Sequence, residues 1–323
     1  MSKGRIITLS TGAKVPQIGL GTWLSKPHEV EHAVEHAVKT GYRHLDLAYI
    51  YRNQDEVGAA LKKVIPSVVK REDLWITSKL WNNAHQPQEV EKQLDETLKQ
   101  IGTDYLDLYL IHWPFSFVPG KGLFPKTADE SEIELDLETS LVDTWKAMLA
   151  LPKSKVRNVG VSNFTVDQIK GITKATGVLP AVNQVEAHPY LPQDELVAYA
   201  QETGLHLTAY SPLGNNLKGL PMLTEHDVVQ SIAKKIGATP AQVLIAWGVA
   251  RGFTVIPKSV QKERIESNFA QVDLSAEDVA LINAIGKKQY LRFNIPYNFN
   301  PRVNVNLFGE PAEKDAKHQV KIE

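Results

Sequence analysis

Four residues in the first half of the chain are of the types that carbonyl chemistry needs, and they fall at or just beyond the ends of short apolar runs. Tyr42-Arg-His-Leu-Asp46 ends in an aspartate with Tyr51 five positions on, Leu74-Trp-Ile-Thr-Ser-Lys79 ends in a lysine, and Tyr105-Leu-Asp-Leu-Tyr-Leu-Ile-His112 ends in a histidine followed by Trp113. A lysine directly after an apolar strand is a costly place for an unpaired charge, so it requires a carboxylate, and Asp46 is the available one. A tyrosine held against that ammonium would have its phenol lowered from the ordinary pKa of about 10, because the cation stabilises the phenolate. It then becomes a usable proton donor to a carbonyl oxygen. His112 would donate a hydrogen bond that orients the carbonyl and steadies the developing alkoxide. Each residue alone has an ordinary explanation: a helix cap, a wedge under a loop, a solvated charge, a core histidine. Their convergence on neighbouring strand ends argues for a site. No metal is implied, since spacing of the His-Glu-x-x-His type is absent.

The second half supplies polar residues of another kind: Gly160-Val-Ser-Asn163, Asn183-Gln184, Tyr210-Ser-Pro-Leu-Gly214 and Ile256-Pro-Lys-Ser259, with Arg264 and Asn268 close behind. An amide pair can bind a carboxamide, Tyr210 offers a stacking face, and cations near a helix start suit phosphate. Together they describe an extended dinucleotide carrying an additional phosphate. A strand-end lysine also admits a Schiff-base aldolase, but Asp46 beside it would keep Lys79 protonated and unreactive. A barrel that binds the dinucleotide without turnover is the other rival, and the presence of all four catalytic residue types speaks against it.

Apolar runs of strand type, near residues 18 to 23, 44 to 48, 74 to 79, 106 to 112, 156 to 161, 181 to 186, 206 to 211 and 253 to 257, must position these groups. Helical patterns alternate with them, including Glu29 to Thr40, Pro87 to Ile101, Ser140 to Leu149 and Gln193 to Thr203. Eight such repeats match an α/β fold of the (β/α)8 TIM barrel type, in which chemistry sits at the C-terminal ends of the strands. An open doubly wound sheet would need a third glycine after Gly19-Leu-Gly21, and it is missing. Residues 5 to 18 alternate around Thr11-Gly12 as a hairpin. Residues 113 to 136, after strand four, form a long loop rich in Pro and Gly, a length that is usually functional. The tail from about Lys288 to Glu323 carries Tyr290, Phe293, Tyr297 and Phe299 without a clear period, and is expected to pack across one end of the barrel.

The 323 residues are accounted for by one such barrel, 1–323, as a single domain. With 36 Lys+Arg against 37 Asp+Glu the formal charge is −1, which removes the electrostatic drive for nucleic acid or anionic membrane. Eighteen consecutive apolar residues never occur, and Met1-Ser2-Lys3-Gly4-Arg5 leads into no apolar signal core, so a soluble, cytoplasmic protein acting on a small molecule is expected. The absence of cysteine excludes disulfides, thiolate metal sites and a Cys nucleophile.

The strings Gly41-Tyr-Arg-His-Leu-Asp46 with Tyr51 and Asn53, Ile76-Thr-Ser-Lys-Leu-Trp81, Asp107-Leu-Tyr-Leu-Ile-His-Trp-Pro114, Gly160-Val-Ser-Asn-Phe164, Asn183-Gln184, Tyr210-Ser-Pro-Leu-Gly214 and Ile256-Pro-Lys-Ser259 resemble, in order, the aldo-keto reductase superfamily. The long Phe124-Pro-Lys loop and the Asn294-Ile-Pro tail look most like fungal NADPH-dependent aldehyde reductases, including the glycerol and glyceraldehyde group. The resemblance implies a barrel, expected as a monomer, that binds NADPH or NADP without a Rossmann domain and reduces aldehydes reversibly, with Asp46, Tyr51, Lys79 and His112 as the catalytic four. It further implies that Ser162, Asn163 and Gln184 hold the nicotinamide amide, that Tyr210 stacks on its ring, and that Lys258, Ser259, Arg264 and Asn268 clamp the adenosine phosphate. Gly21, Thr22, Trp23, Asp46, Ser211, Leu213 and Val260 join the coenzyme set, and Trp23, Ile50, Trp81, His112 and Trp113 form the substrate wall. Three positions depart from the family pattern: Gln54 for a frequent Glu, Pro152-Lys-Ser154 for a Gly-Lys turn, and Ser267 for a Glu near adenine. The last bears on coenzyme affinity.

Overall fold

The computed structural model describes residues 5–214 and 219–323. Met1 to Gly4, which include most of the segment searched for a signal core, lie outside the described residues. Two short strands, β1 (Ile6–Thr8) and β2 (Lys14–Pro16), pair antiparallel as the expected hairpin. There follow β3 (Leu20–Gly21), α1 (Glu29–Thr40), β4 (His44–Asp46), α2 (Gln54–Val64), β5 (Trp75–Leu80), α3 (Pro87–Ile101) and β6 (Leu106–Ile111). A long connection carrying β7 (Ser116–Phe117) and β8 (Leu135–Asp136) leads to α4 (Leu141–Ala150), β9 (Val156–Ser162), α5 (Val166–Thr176), β10 (Val182–Glu186), α6 (Asp194–Thr203) and β11 (His206–Tyr210). Then come α7 (Asp227–Ile236), α8 (Pro240–Ala250), β12 (Thr254–Val255), α9 (Lys262–Phe269), α10 (Ala276–Lys288), β13 (Val305–Asn306) and β14 (His318–Gln319).

Eight strands form one sheet in the order β3-β4-β5-β6-β9-β10-β11-β12, with every pairing parallel. Parallel bridges from Ile18 to Val255 and from Gly21 to Lys258 join the first strand to the last, so the sheet closes into the (β/α)8 barrel. Closure puts all eight C-terminal strand ends on one rim, which is why residues far apart in sequence can meet there. The closing pairs are isolated bridges, so the regular strands β3 and β12 are shorter than the apolar runs 18 to 23 and 253 to 257.

Local chemistry explains the elements. All residues of β5, β6 and β10 are buried, as parallel strands covered on both faces require. Helix α3 turns Val90, Leu94, Leu98 and Ile101 inward, starts with Pro87 in its first turn and ends at Gly102 with φ 71°, the conformation that favours glycine. Ser140 precedes α4 as its cap, with Asp143 closing a capping box. In β9, a Cβ on Gly160 would lie 2.5 Å from the Val182 carbonyl oxygen, so no larger residue fits between β9 and β10.

The long connection is folded rather than irregular. Strands β7 and β8 pair antiparallel, and Glu132 bridges to Arg302 of the tail. Val303, Val305 and Leu307 of the tail pack with Trp81, Trp113, Phe115 and Phe117. Farther on, the Lys321 and Ile322 carbonyls accept from the Leu141 and Val142 amides at the start of α4. Loop and tail therefore meet over the rim, as expected. Among the described residues no helix is long and apolar enough to cross a membrane.

Burial keeps His44, His85 and His206 neutral: it pushes His44 from 6.5 to about 4, His85 to about 3 and His206 to about 4. Because the unfolded chain binds protons that the folded chain refuses, stability is full above pH 6.5 and falls as pH drops towards 4. Urea unfolding at pH 7 and pH 4.5 should show this loss, and His44→Gln should flatten it; a slope unchanged by the substitution would count against the assignment.

Candidate active site

The polar strand ends meet around a cavity of about 420 Å³ at the C-terminal rim, a size that suits a small-molecule site. Behind its wall, Lys79 at the end of β5 is fully buried and donates to Asp46 Oδ1 at 2.6 Å and to the Leu47 carbonyl at 2.8 Å. The carboxylate that the lysine was expected to require is the one it has. Asp46 is held from its other side by Gln184, whose Nε2 donates to Oδ2 at 2.6 Å, and its carbonyl accepts from Thr22 Oγ1. Burial pulls the Lys79 ammonium below its ordinary value, and Asp46 opposes that pull.

Tyr51 lies on the short helical turn Tyr49–Tyr51 after β4 and lines the cavity. The Lys79 ammonium is 5.3 Å from its ring centroid, and no hydrogen bond among the described residues reaches the phenol oxygen. Two expectations are corrected here. The ammonium sits beside the ring without bonding the hydroxyl: two of its three donors go to Asp46 and Leu47, and no bond from the third to Tyr51 is formed. The phenol is raised well above its ordinary value, by burial first and the Asp46 carboxylate second, and not lowered. Tyr51 is therefore protonated throughout the neutral range, the form a proton donor must have.

His112, one residue past β6, packs edge-on to Tyr51 at 5.9 Å and to Trp81 at 5.4 Å. Burial, with the charge of Lys79 next, holds its imidazole well below the ordinary range, so it is neutral. A neutral imidazole beside a protonated phenol gives two hydrogen-bond donors at one end of the cavity.

Ser162, Asn163, Gln184, Tyr210, Ser211, Leu213, Gly21, Thr22 and Lys258 also line the cavity. Ser162 Oγ donates to the Gln184 carbonyl, Asn163 Nδ2 donates to the His112 carbonyl, and Tyr210 Oη donates to Asn163 Oδ1. Asn163 and Ser211 hold left-handed backbone at φ 65° and 48°, strain of the kind found where a wall must be shaped for a ligand. Lys258 Nζ donates to the Leu24 carbonyl. Ser259, Val260, Arg264 and Asn268 do not line this cavity: Ser259 Oγ accepts from the Gln261 amide at the start of α9, Val260 packs against the barrel core, and Arg264 is exposed.

The substrate wall comes together as Trp23, Ile50, Trp81 and Trp113, joined by Phe124 of the long loop. Trp81 Nε1 donates to the Leu123 carbonyl, tying loop to rim. Phe115 and Phe117 are buried in the cluster beneath, away from the cavity. Asn294 and Phe299 of the tail also line the cavity, and Phe299 meets Trp113 edge-on at 6.0 Å. Asn294 was missed as a site residue because the tail has no periodicity to place it, although the motif Asn294-Ile-Pro marked the segment.

A closed parallel barrel whose acid, amide and aromatic side chains gather at the strand C-termini has the layout of a barrel enzyme. The profile of the Aldo/keto reductase family matches residues 17–287. A protein named D/L-glyceraldehyde reductase from Hypocrea jecorina is 55% identical over 330 residues, covering 100% of this chain and 99% of that protein. Aldo-keto reductase family 1 member A1 of Sus scrofa is 44% identical over 97% of this chain and 96% of its own. The solved aldose reductase of Schistosoma japonicum superposes with a TM-score of 0.84 at 42% identity, covering 90% of this chain and 94% of that one. The chain belongs to the Aldo/keto reductase family and is an oxidoreductase of carbonyl compounds.

Proposed function

We propose that this protein reduces aldehydes to alcohols with NADPH, reversibly, on short substrates of the glyceraldehyde type and on other uncharged aldehydes. The observation that carries the reading is Tyr51: a protonated phenol, free of any hydrogen bond to the described residues, on the cavity wall, with a buried ammonium beside its ring and a neutral imidazole next to it. The site fits a nicotinamide coenzyme. Tyr210 lines one wall, Gln184 Oε1 accepts no hydrogen bond among the described residues, and Lys258 stands at the cavity edge. Reduced nicotinamide, when bound, supplies a hydride. The chain supplies the rest: His112 donates to the carbonyl oxygen, and Tyr51 passes its proton to that oxygen as alkoxide charge develops. Lys79 then lies close enough to the ring to stabilise the phenolate, while Asp46 holds Lys79 in place. Alcohol oxidation needs the phenolate from the start, so it should be favoured by raising the pH.

Among the described residues no side-chain cation stands at the substrate end beside the aromatic wall of Trp23, Trp81, Trp113 and Phe299, which favours neutral aldehydes over carboxylated ones. The name of the Hypocrea jecorina relative supports the same substrate class. A Schiff base at Lys79 is disfavoured, because its nitrogen is buried, paired with Asp46 and absent from the cavity wall.

For the coenzyme phosphate, Lys258 and exposed Arg264, which makes no ion pair among the described residues, flank the start of α9. Hydrogen bonds to charged groups contribute about 1.5–3 kcal/mol each. Lys258→Ala or Arg264→Ala should therefore weaken NADPH binding by about 10- to 100-fold while leaving NADH little changed, as read by fluorescence titration of both coenzymes. Equal losses for the two would contradict the NADP preference.

A further inference from the structure

Glu186 closes β10 and is 1% exposed, yet nothing in the chemistry above uses it. Its carboxylate takes four hydrogen bonds. Oε1 accepts from His188 Nε2 and from the Phe293 amide, and Oε2 accepts from the Asn294 amide and from Asn294 Nδ2, all at 2.8 Å. Burial pushes the carboxyl up, and the bonds from His188 and the two tail amides outweigh it, leaving it below the ordinary carboxylate range. Three of the four donors belong to the tail, at the point where it crosses the rim. Phe293 packs on the His188 ring at 5.2 Å, Asn294 reaches the cavity wall, and Phe299 follows five residues later at the same wall.

We infer that Glu186 is a positioning residue: a buried carboxylate that latches the tail across the cavity mouth and so fixes the wall formed by Asn294 and Phe299 against the substrate. The inference rests on the carbonyl-reductase reading for its kinetic consequence, while the latch itself is read without activity. Glu186→Gln replaces one carboxylate oxygen by an NH2 donor, so one side of the group loses its acceptor and faces tail donors with a donor, a clash the tail can relieve only by moving. The coenzyme wall at Tyr210 belongs to the barrel and keeps its own bond to Asn163.

The test compares the full-length wild type with Glu186→Gln and Glu186→Asp. Hydrogen exchange at the Phe293 and Asn294 amides should quicken by about tenfold or more in Glu186→Gln. The KM for short aldehydes should rise by about tenfold with kcat little changed, and NADPH affinity by fluorescence should stay at the wild-type value. A merely structural defect would lower the active fraction, and hence kcat, without moving KM. Should Glu186→Gln fail to fold, Glu186→Asp decides, since it keeps the charge and shortens the reach to the tail; the same changes are expected at smaller size. Unchanged exchange at the two amides overturns the latch. Faster exchange with unmoved KM, or a loss confined to NADPH affinity, overturns its role in setting the substrate wall. A wild type that binds NADPH and reduces no aldehyde would instead overturn the reductase reading, with the exchange result still deciding the latch.

Discussion

Tyr51→Phe should lose aldehyde reduction by about 10²- to 10⁴-fold, the range that a positioned general acid contributes, while binding NADPH as the wild type does. The substitution removes one oxygen from a ring whose packing against His112 remains. That oxygen makes no hydrogen bond to the described residues, so its loss leaves no orphaned partner and should cost little stability. The separation is the point of the experiment: turnover falls, and fold and coenzyme affinity stay. Stopped NADPH absorbance in steady state, with coenzyme fluorescence alongside, reads both. Near wild-type turnover would remove Tyr51 from the chemistry.

Lys79→Met should destabilise the fold by about 3–5 kcal/mol, the range for breaking a buried ion pair by removing one partner. The cause is Asp46, which would remain buried with Gln184 as its remaining side-chain donor. For a chain of 323 residues the loss corresponds to a Tm lower by about 4–7 °C. The double variant Asp46→Asn with Lys79→Met should recover much of that stability, because the uncompensated charge is gone, yet should stay as inactive as Lys79→Met alone. Thermal unfolding of the three variants at one pH checks the pattern. A single variant as stable as the wild type would mean that the pair carries no such burden.

These two residues also mark where sequence reasoning succeeds and where it stops. The partnership of Lys79 with Asp46 was legible because the cost of an unpaired charge after an apolar strand is a property of the residues themselves. Helices Glu29–Thr40 and Pro87–Ile101 were legible to the residue, since their apolar period, Pro87, Gly41 and Gly102 are written in the chain. The environment of Tyr51 was not. A lysine nearby suggests a lowered phenol, but burial and the direction of the ammonium's hydrogen bonds exist only in the folded barrel, and both run the other way. The bond from Gln184 to Asp46 joins residues 138 positions apart. An amide suited to a carboxamide was visible, and the second use of the same side chain was not. Asn294 and Phe299 sit in a tail without period, placed by a carboxylate on β10 that no local pattern announces.

The coenzyme residues divide in the same way. Those at strand ends, from Thr22 to Lys258, arrive at the cavity because closure of the barrel brings every strand end to one rim. Ser259, Val260, Arg264 and Asn268 lie past the last strand, where the chain has turned into α9, so their connection with the adenosine phosphate depends on a ligand extending beyond the cavity.

The central claim is a hydride transfer at this cavity, and a label follows it directly. NADPH carrying deuterium at both C4 positions, given with a short aldehyde and the wild-type protein, should yield an alcohol with one deuterium on the former carbonyl carbon, and Tyr51→Phe should slow its appearance by the factor given above. An alcohol formed without deuterium, or label transfer undiminished in Tyr51→Phe, would contradict the account.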